Sequence, residues 1–456
     1  MKTSDNFILD IKRLGINGEG IGFYNRKAVF VEDAIPGEGH SVEIIKEQEK
    51  MCFAKSIEVK HKSPSRVTPS CPYYKECGGC NVSHIAYEKM LEFKKESVVE
   101  AISRYTHLNP RSFEIRNTVA SDEIFHYRNR SQLQVVTKDD HLEVAMLKPN
   151  SNFTVPIQDC LVQKQRINEL NRAILSFAEE LNISSYIPKF SRGILRYILI
   201  RVNEVNEALV CFVCGEKSSK IKELAKRTIT LEGVKGVYES LNTSKKDVGF
   251  IGTNPVLLEG EPYIIEKLGK LSYKLYPNTF FQLNTKQTHK MMELILKACK
   301  LSFKERVLDA YSGVGAIGLY LAHMAKEVVG IEYNADAVEA ANDNAKLNHI
   351  QNAKFLQGDA ALLFPKLLEE KTFDVVVVDP PRTGLEDEFI QALLNAKVKR
   401  VVYVSCNPAT LAKDLEKLSI AYQVNSITPL DMFPQTALTE SVVQLTHIES
   451  APVKNK

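Results

Sequence analysis

Val307-Leu308-Asp309-Ala310-Tyr311-Ser312-Gly313-Val314-Gly315-Ala316-Ile317-Gly318 reads as a strand, a glycine turn and a helix start. Its glycines let the backbone approach a ligand closely, and amides at a helix start favour anionic groups. Working outward, strand patterns at 306–310, 327–332, 374–379 and 400–405 alternate with helical patterns at 285–300, 315–325, 335–347 and 408–418. Such alternation predicts an α/β fold with a doubly wound, Rossmann-like parallel sheet. Ser441 to Leu445 reads as its final strand. Alone, GxGxxG is a weak sign of an adenosine-containing cofactor. Glu332 strengthens it, because it ends the strand Val328-Val329-Gly330-Ile331-Glu332, where a carboxylate can bind both ribose hydroxyls. A packing turn with a solvated glutamate is the plainer alternative. NAD and S-adenosylmethionine both fit at this point.

Further along, Phe373-Asp374-Val375-Val376-Val377-Val378-Asp379-Pro380-Pro381-Arg382-Thr383-Gly384 places Asp379 at the carboxyl end of a buried strand. Prolines stiffen the turn that follows. Hydride transfer has no evident need of this, whereas methyltransferases often use an acid-Pro-Pro turn to hold a target base. Amino-methylating enzymes usually place an aromatic next; here Arg382 follows, which points to a different target atom. Cys406 ends the apolar run Val401-Val402-Tyr403-Val404-Ser405, and Asn407-Pro408 starts a helix. Strand carboxyl ends of an open α/β sheet carry ligand and catalytic groups. Cysteine is also a common small core residue. Helix amides, however, lower a thiol pKa from its usual value of about 8.5. Glu440 follows Phe433-Pro434-Gln435-Thr436-Ala437-Leu438-Thr439 and opens an apolar strand, where a charge is costly unless used. These groups suggest a cysteine nucleophile (Cys406), a cofactor-side acid (Asp379) and a general base (Glu440).

Upstream, Cys71-Pro72-Tyr73-Tyr74-Lys75-Glu76-Cys77-Gly78-Gly79-Cys80 gathers three thiols, and Cys160 stands alone. Three clustered cysteines plus a distant one suit an iron–sulfur cluster or a structural zinc. Cys211 and Cys214 fall on opposite faces of a strand and read as core. Residues 1–58 read as short strands separated by glycine turns, including Gly18 to Gly22, as in a small OB-type barrel. A central mixed α+β region spans 71–268 and the regular α/β region 271–456. Within the central part, helices are expected at His84 to Tyr105 and Val162 to Leu181, and strands near Ser131 to Val136, Ile194 to Val202 and Ala208 to Val213. Basic stretches lie at Arg128 and Arg130 and at Lys189, Arg192, Arg196 and Arg201. Each is usually a solvated face, but a small barrel in front makes RNA contact reasonable.

The 456 residues indicate two or three domains. Net charge +3 permits a nucleic-acid partner without demanding one. The N-terminus lacks a signal-peptide apolar region, and no stretch reads as a membrane span. Nine cysteines, an odd number in a long chain, suggest a reduced cytoplasmic protein.

With Phe280-Phe281-Gln282-Leu283-Asn284 added, these motifs resemble the RNA uracil-5 methyltransferase family, in its branch with a TRAM domain and an iron–sulfur cluster. The resemblance implies that 1–58 is a TRAM barrel and that Cys71, Cys77, Cys80 and Cys160 hold a [4Fe-4S] cluster. It implies that Gln282, Tyr311, Glu332 and Asp379 bind S-adenosylmethionine or frame the site. Cys406 would attack uracil C6 and Glu440 would remove the C5 proton. The partner would be RNA rather than DNA, with 23S rRNA the expected substrate and tRNA the alternative, for a monomeric enzyme. Other readings are a radical S-adenosylmethionine enzyme, whose cysteine spacing is tighter, and a non-catalytic RNA-binding or chaperone protein. In one place the chain departs from the family, whose Phe-Pro segment usually continues with histidines; here Gln435 and Leu438 stand there.

Overall fold

The computed structural model describes residues 6–244 and 251–450. The carboxyl-terminal part is built on an eight-stranded sheet. Its strands run in the order Ala353–Gln357, Glu327–Glu332, Arg306–Ala310, Val375–Val378, Arg400–Ser405, Glu440–His447, Tyr422–Leu430 and Glu114–Ile115. The first five are parallel, and Glu440–His447 runs antiparallel to both its neighbours. Helices cover both faces, so the parallel strands are apolar throughout rather than alternating. Val307, Val377 and Val404 face the helix Thr285–Cys299, whereas Leu308, Val376 and Tyr403 face Phe364, Phe389 and Leu411. Asn334, Asp359 and Asn407 each cap a helix start with a side-chain oxygen.

Some elements depart from the sequence reading. The helix Tyr87–Tyr105 and strand Glu114–Ile115 fall in the expected central region but pack on the C-terminal sheet. Val98, Ala101 and Ile102 join its core. The boundary expected between 268 and 271 cuts the hairpin Ile264–Leu268/Leu271–Leu275, whose two halves enter one core together. Strand Tyr422–Leu430 was not expected, because Asn425, Ser426 and Pro429 interrupt its apolar pattern.

The central part is a seven-stranded sheet: Thr154–Ile157, His141–Leu147, Arg130–Lys138, Leu195–Val202, Ala208–Cys214, Val234–Leu241 and Thr253–Gly260. The helices Gln165–Glu180 and Ser219–Thr228 pack on one face. Cys214 lies in that helix-side core and Cys211 in the opposite one, in keeping with strand alternation.

Residues 7–61 form a six-stranded sheet in the order Phe7–Asp10, Gly39–Glu47, Met51–His61, Lys27–Val31, Gly20–Tyr24 and Arg13–Leu14. The expected turn at Gly18 to Gly22 is largely strand. At Gly22 a Cβ would sit 2.6 Å from the Asp10 carbonyl oxygen, so the sheet curls back onto its first strand at a point where only glycine fits. Arg13 pairs with Glu100 at 2.8 Å, and Asn81 donates to the Asn17 carbonyl. The N-terminal sheet is thereby docked beside helix Tyr87–Tyr105. Among the described residues no helix is long and apolar enough to cross a membrane.

Candidate active site

Three strand ends converge at one edge of the C-terminal sheet. Beyond Ala310 the chain turns sharply, with positive φ at Tyr311 (63°), Gly313 (54°) and Gly315 (80°). Gly313 N–H donates to Glu332 at 2.9 Å, and Asn334 N–H donates to the other oxygen of the same carboxylate at 2.8 Å. Glu332 therefore ties two adjacent turns together. A cavity with about 440 Å3 of empty space is lined by Phe280, Gln282, Tyr311, Gly313, Ile317 and Asp379. It brings together three of the four residues expected at the cofactor; Glu332 reaches its edge through Gly313.

Asp309, not singled out in the sequence, lies fully buried beneath this turn. One of its oxygens accepts the Gly318 N–H at 2.7 Å and the other has no partner among the described residues. A Cβ at residue 318 would approach that carboxylate to 2.8 Å, which explains the third glycine. Burial, then repulsion by Asp379 and Glu332, pushes the Asp309 carboxyl up to about 8. A lone acid inside an otherwise apolar strand was the available sign.

Asp379 and Cys406 sit on turns that are stitched together. The Asn407 side chain caps its helix by accepting from Ala409 N–H at 3.1 Å, and donates to the Arg382 carbonyl at 3.1 Å. Thr410 donates to the same carbonyl at 3.2 Å. Buried Asp414 accepts from Leu385 N–H at 2.8 Å and from the Tyr403 hydroxyl at 2.7 Å. Gly384, at φ 86°, lies so close that a Cβ would be 2.6 Å from that carboxylate. On the next strand pair Ser405 is the cross-strand partner of Ser441. Cys406 and Glu440 therefore emerge from adjoining antiparallel strand ends. Cys406 opens onto a cleft with about 650 Å3 of empty space, lined also by Arg13, Lys94, Glu100, Arg382 and Leu438.

The electrostatics differ from the expectation of a thiol activated by helix amides. Burial, then the charges of Glu440 and Asp379, pushes the Cys406 thiol up to about 11, with Arg382 acting the other way. Burial raises Asp379 to about 7. Burial and the neighbouring Asp379 hold Glu440 well above the usual carboxylate range. At neutral pH the resting site therefore keeps its thiol protonated.

Lys94 was also missed. It is 2% exposed, on helix Tyr87–Tyr105. Its ammonium donates to the Asp431 carboxylate, to the Phe433 carbonyl at 3.2 Å and to the Leu438 carbonyl at 2.8 Å. Asp431 also accepts from the Tyr87 hydroxyl at 2.7 Å. All three ammonium donors thus hold the segment leading into Glu440. Gln435 lies in the same segment with φ 70°, and its carbonyl accepts from the N–H groups of Asn81 and Val82. The sequence clue was a lysine standing in the i, i+4 ladder of Met90, Val98 and Ile102.

The cysteine loop folds against strand His141–Leu147, Gly78 N–H donating to the Leu147 carbonyl at 3.0 Å. Gly79 N–H donates to Cys77 Sγ at 3.4 Å. Burial, then the charges of Cys160, Cys77 and Cys71, pushes the Cys80 thiol up to about 12. Cys77 and Cys160 are raised for the same reasons, burial first. The four cysteines are therefore electrostatic neighbours. Among the described residues no three His, Cys, Asp or Glu side chains are gathered around a single-ion position. The basic stretch at 189–201 divides. Lys189 and Arg192 are exposed, but Arg196 and Arg201 are each 1% exposed. Arg196 donates to carbonyls of Asn242 and Ser244, and Arg201 to that of Thr279, next to Phe280 in the lining of the 440 Å3 cavity. Both act within the fold rather than on a solvated face.

Comparison with known proteins bears on what this arrangement does. An uncharacterized RNA methyltransferase of Halalkalibacterium halodurans is 40% identical, covering 98% of this chain and 97% of that one. One of Listeria monocytogenes is 38% identical, covering 98% of both. The class is therefore that of the RNA methyltransferases. Residues 256–448 match the family described as tRNA (Uracil-5-)-methyltransferase. The crystal structure of Pyrococcus abyssi tRNA (uracil-54, C5)-methyltransferase in complex with S-adenosyl-L-homocysteine aligns with TM-score 0.77 and 30% identity, covering 97% of this chain and 100% of that one. The chain belongs to the RNA uracil-5 methyltransferase family.

Proposed function

We propose that this chain methylates C5 of a uridine in RNA through a covalent adduct of Cys406 with C6. The observation that carries the reading is the Ser405–Ser441 register, which sets Cys406 and Glu440 beside each other, with Asp379 close enough to shift both their pKa values. Gln282, Tyr311 and Asp379 line the cavity we assign to S-adenosylmethionine, with Glu332 at its edge. When bound, S-adenosylmethionine supplies an electrophilic methyl group on a sulfonium.

Uracil C5 is a poor nucleophile. Addition of Cys406 sulfur to C6 pushes the C5–C6 π electrons onto C5 and O4, giving an enolate whose C5 takes the methyl. The thiol proton must leave during attack, and Asp379, poised near 7, is the acceptor we assign. Glu440 then removes the C5 proton. The electrons re-form C5=C6 as the C6–S bond breaks. Glu440 must be ionised for this, so the raised pKa is that of a strong base held in reserve. The target base must leave its stack, at about a few kcal/mol, and contacts along the RNA must offset that.

We assign 23S rRNA as substrate on family resemblance. A tRNA reading draws on the Pyrococcus neighbour, which is a tRNA methyltransferase. We read residues 1–58 as the TRAM barrel; Arg13, on its strand Arg13–Leu14, lines the cleft of Cys406. We assign Cys71, Cys77, Cys80 and Cys160 to a [4Fe-4S] cluster. Their half-buried side chains lie close enough for the charges of their thiolates to interact, which fits a group that takes them as thiolates, and a four-iron cube spreads its ligands more widely than one ion does. We give the cluster a structural role in the central sheet.

RNA transcribed with [5-3H]uridine tests the core of this reading. Each methyl group transferred should release one tritium to water, and Cys406→Ala should release none while still binding S-adenosylmethionine. Methylation by the alanine variant would end the proposal. Mapping 5-methyluridine in ribosomal and transfer RNA of a deletion strain would separate the two substrates.

A further inference from the structure

A second cavity lies away from the site above. It opens between the carboxyl-terminal half of helix Thr285–Cys299 and the strands Tyr422–Leu430 and Glu440–His447, with about 560 Å3 of space open to solvent. Arg116, Lys297 and Lys300 stand at its rim, and Ser426, Thr428 and Gln444 at its floor. Ser426 is 7% and Thr428 5% exposed, yet neither hydroxyl has a hydrogen-bond partner among the described residues. The Gln444 amide has none either, and neither lysine meets a carboxylate. Arg116 is held at the rim by its N–H donating to the Ile427 carbonyl at 2.9 Å, and its side chain meets exposed Glu114.

Lysines near a helix carboxyl end favour the helix dipole, and that accounts for Lys297 and Lys300. It does not account for Ser426 and Thr428, residues more than nine-tenths buried whose hydroxyls find no partner in the described protein and are left to meet whatever enters the cavity. Three cations above a floor of neutral donors, with no carboxylate among the lining residues, match a tetrahedral oxyanion with several acceptor oxygens. Lys297 is nine residues beyond Thr288, which lines the cofactor cavity. Met292 and Leu294 bring the two linings close on this helix, but no residue lines both cavities.

We propose that this cavity is a binding site for a phosphate group. The phosphate could come from the backbone of a bound RNA or from a small free phosphate. The inference concerns binding alone and stands whether or not Cys406 transfers methyl groups.

The test uses the full chain and two variants, Lys297→Glu with Lys300→Glu, and Thr428→Val, which keeps the shape and removes the hydroxyl. Calorimetry with pyrophosphate and RNA affinity against salt are both measured. If pyrophosphate binds and each variant weakens it tenfold or more with RNA affinity unchanged, the site takes free phosphates. If pyrophosphate is not held, but both variants weaken RNA binding threefold or more and the lysine variant reduces the log–log salt slope by about 0.7, the phosphate is the RNA's. Unchanged pyrophosphate and RNA binding in both variants would overturn the proposal. So would a loss in the lysine variant alone, which would mark general surface charge rather than a cavity.

Discussion

Half-buried Asp379 lies within reach of the charge of two buried acids, Asp309 and Glu440, and none of the three is paired with a cation among the described residues. Their raised pKa values keep protons on this group of acids near neutral pH. A sulfonium brought to Asp379 would favour its ionised form. S-adenosylmethionine affinity should therefore rise with pH, by up to about tenfold per unit below 7, and level off above it. S-adenosylhomocysteine, with neutral sulfur, should show a flatter curve, and Asp379→Asn should flatten both. Equal slopes for the two ligands, by calorimetry across pH, would contradict this. Turnover should rise over the same range, because Asp379 and Glu440 act as carboxylates and the Cys406 thiol, near 11, must lose its proton. At this scale the positions of Cys406, Asp379 and Glu440 were legible, because each bounds an apolar run at a strand end. The direction of the Cys406 shift was not, because burial and two acids outweigh the helix amides, and none of them is local in sequence.

The segment 431–439 is an element without regular structure, and its shape is imposed by a helix more than three hundred residues earlier. Lys94→Met would leave Asp431 as an unpaired buried charge, costing about 3–5 kcal/mol. Adding Asp431→Asn should restore much of the stability in urea unfolding, since no bare charge remains. In both variants kcat should fall while S-adenosylmethionine affinity is kept, because the cofactor cavity uses other elements. Full activity in Lys94→Met would show that the segment holds itself. The cysteine loop is the second such element. Anaerobically purified protein should carry iron and sulfide, and Cys71→Ser, Cys77→Ser, Cys80→Ser or Cys160→Ser should each remove them. Stoichiometric zinc without iron would contradict the cluster. Four of the five parallel strands were legible almost to the residue, because a strand buried on both faces is a plain apolar run; Ala353–Gln357 was not, because at the sheet's edge it exposes Lys354 and Gln357. Strand Gly20–Tyr24 was not, because its glycines, required by close backbone approach, imitate a turn.

Over the whole molecule, chain order and packing order part company. Helix Tyr87–Tyr105 and strand Glu114–Ile115 are threaded into the C-terminal sheet before the central sheet is built. Sequence segmentation assigns neighbours in the chain to one domain and cannot see such a return. The consequence is a cleft walled by the N-terminal sheet, that helix and the C-terminal turns together. Deleting residues 1–61 removes one wall. RNA binding should weaken, and its log–log salt slope should flatten by about 0.7 for each phosphate no longer neutralised. S-adenosylmethionine affinity should stay as it was, and an unchanged slope would assign phosphate binding to Arg128, Arg130 and the exposed Lys189 and Arg192 instead.

The central claim is that Cys406 bonds to C6 while Glu440 removes the proton from C5. Glu440→Gln can form the adduct and accept the methyl but has no base to release it. Unmodified 23S rRNA and tRNA transcripts incubated with this variant and S-adenosylmethionine, then digested and analysed by mass spectrometry, should yield the Cys406 peptide bearing a methylated uridine. A variant that turns over normally and leaves every cysteine peptide unmodified would contradict the account.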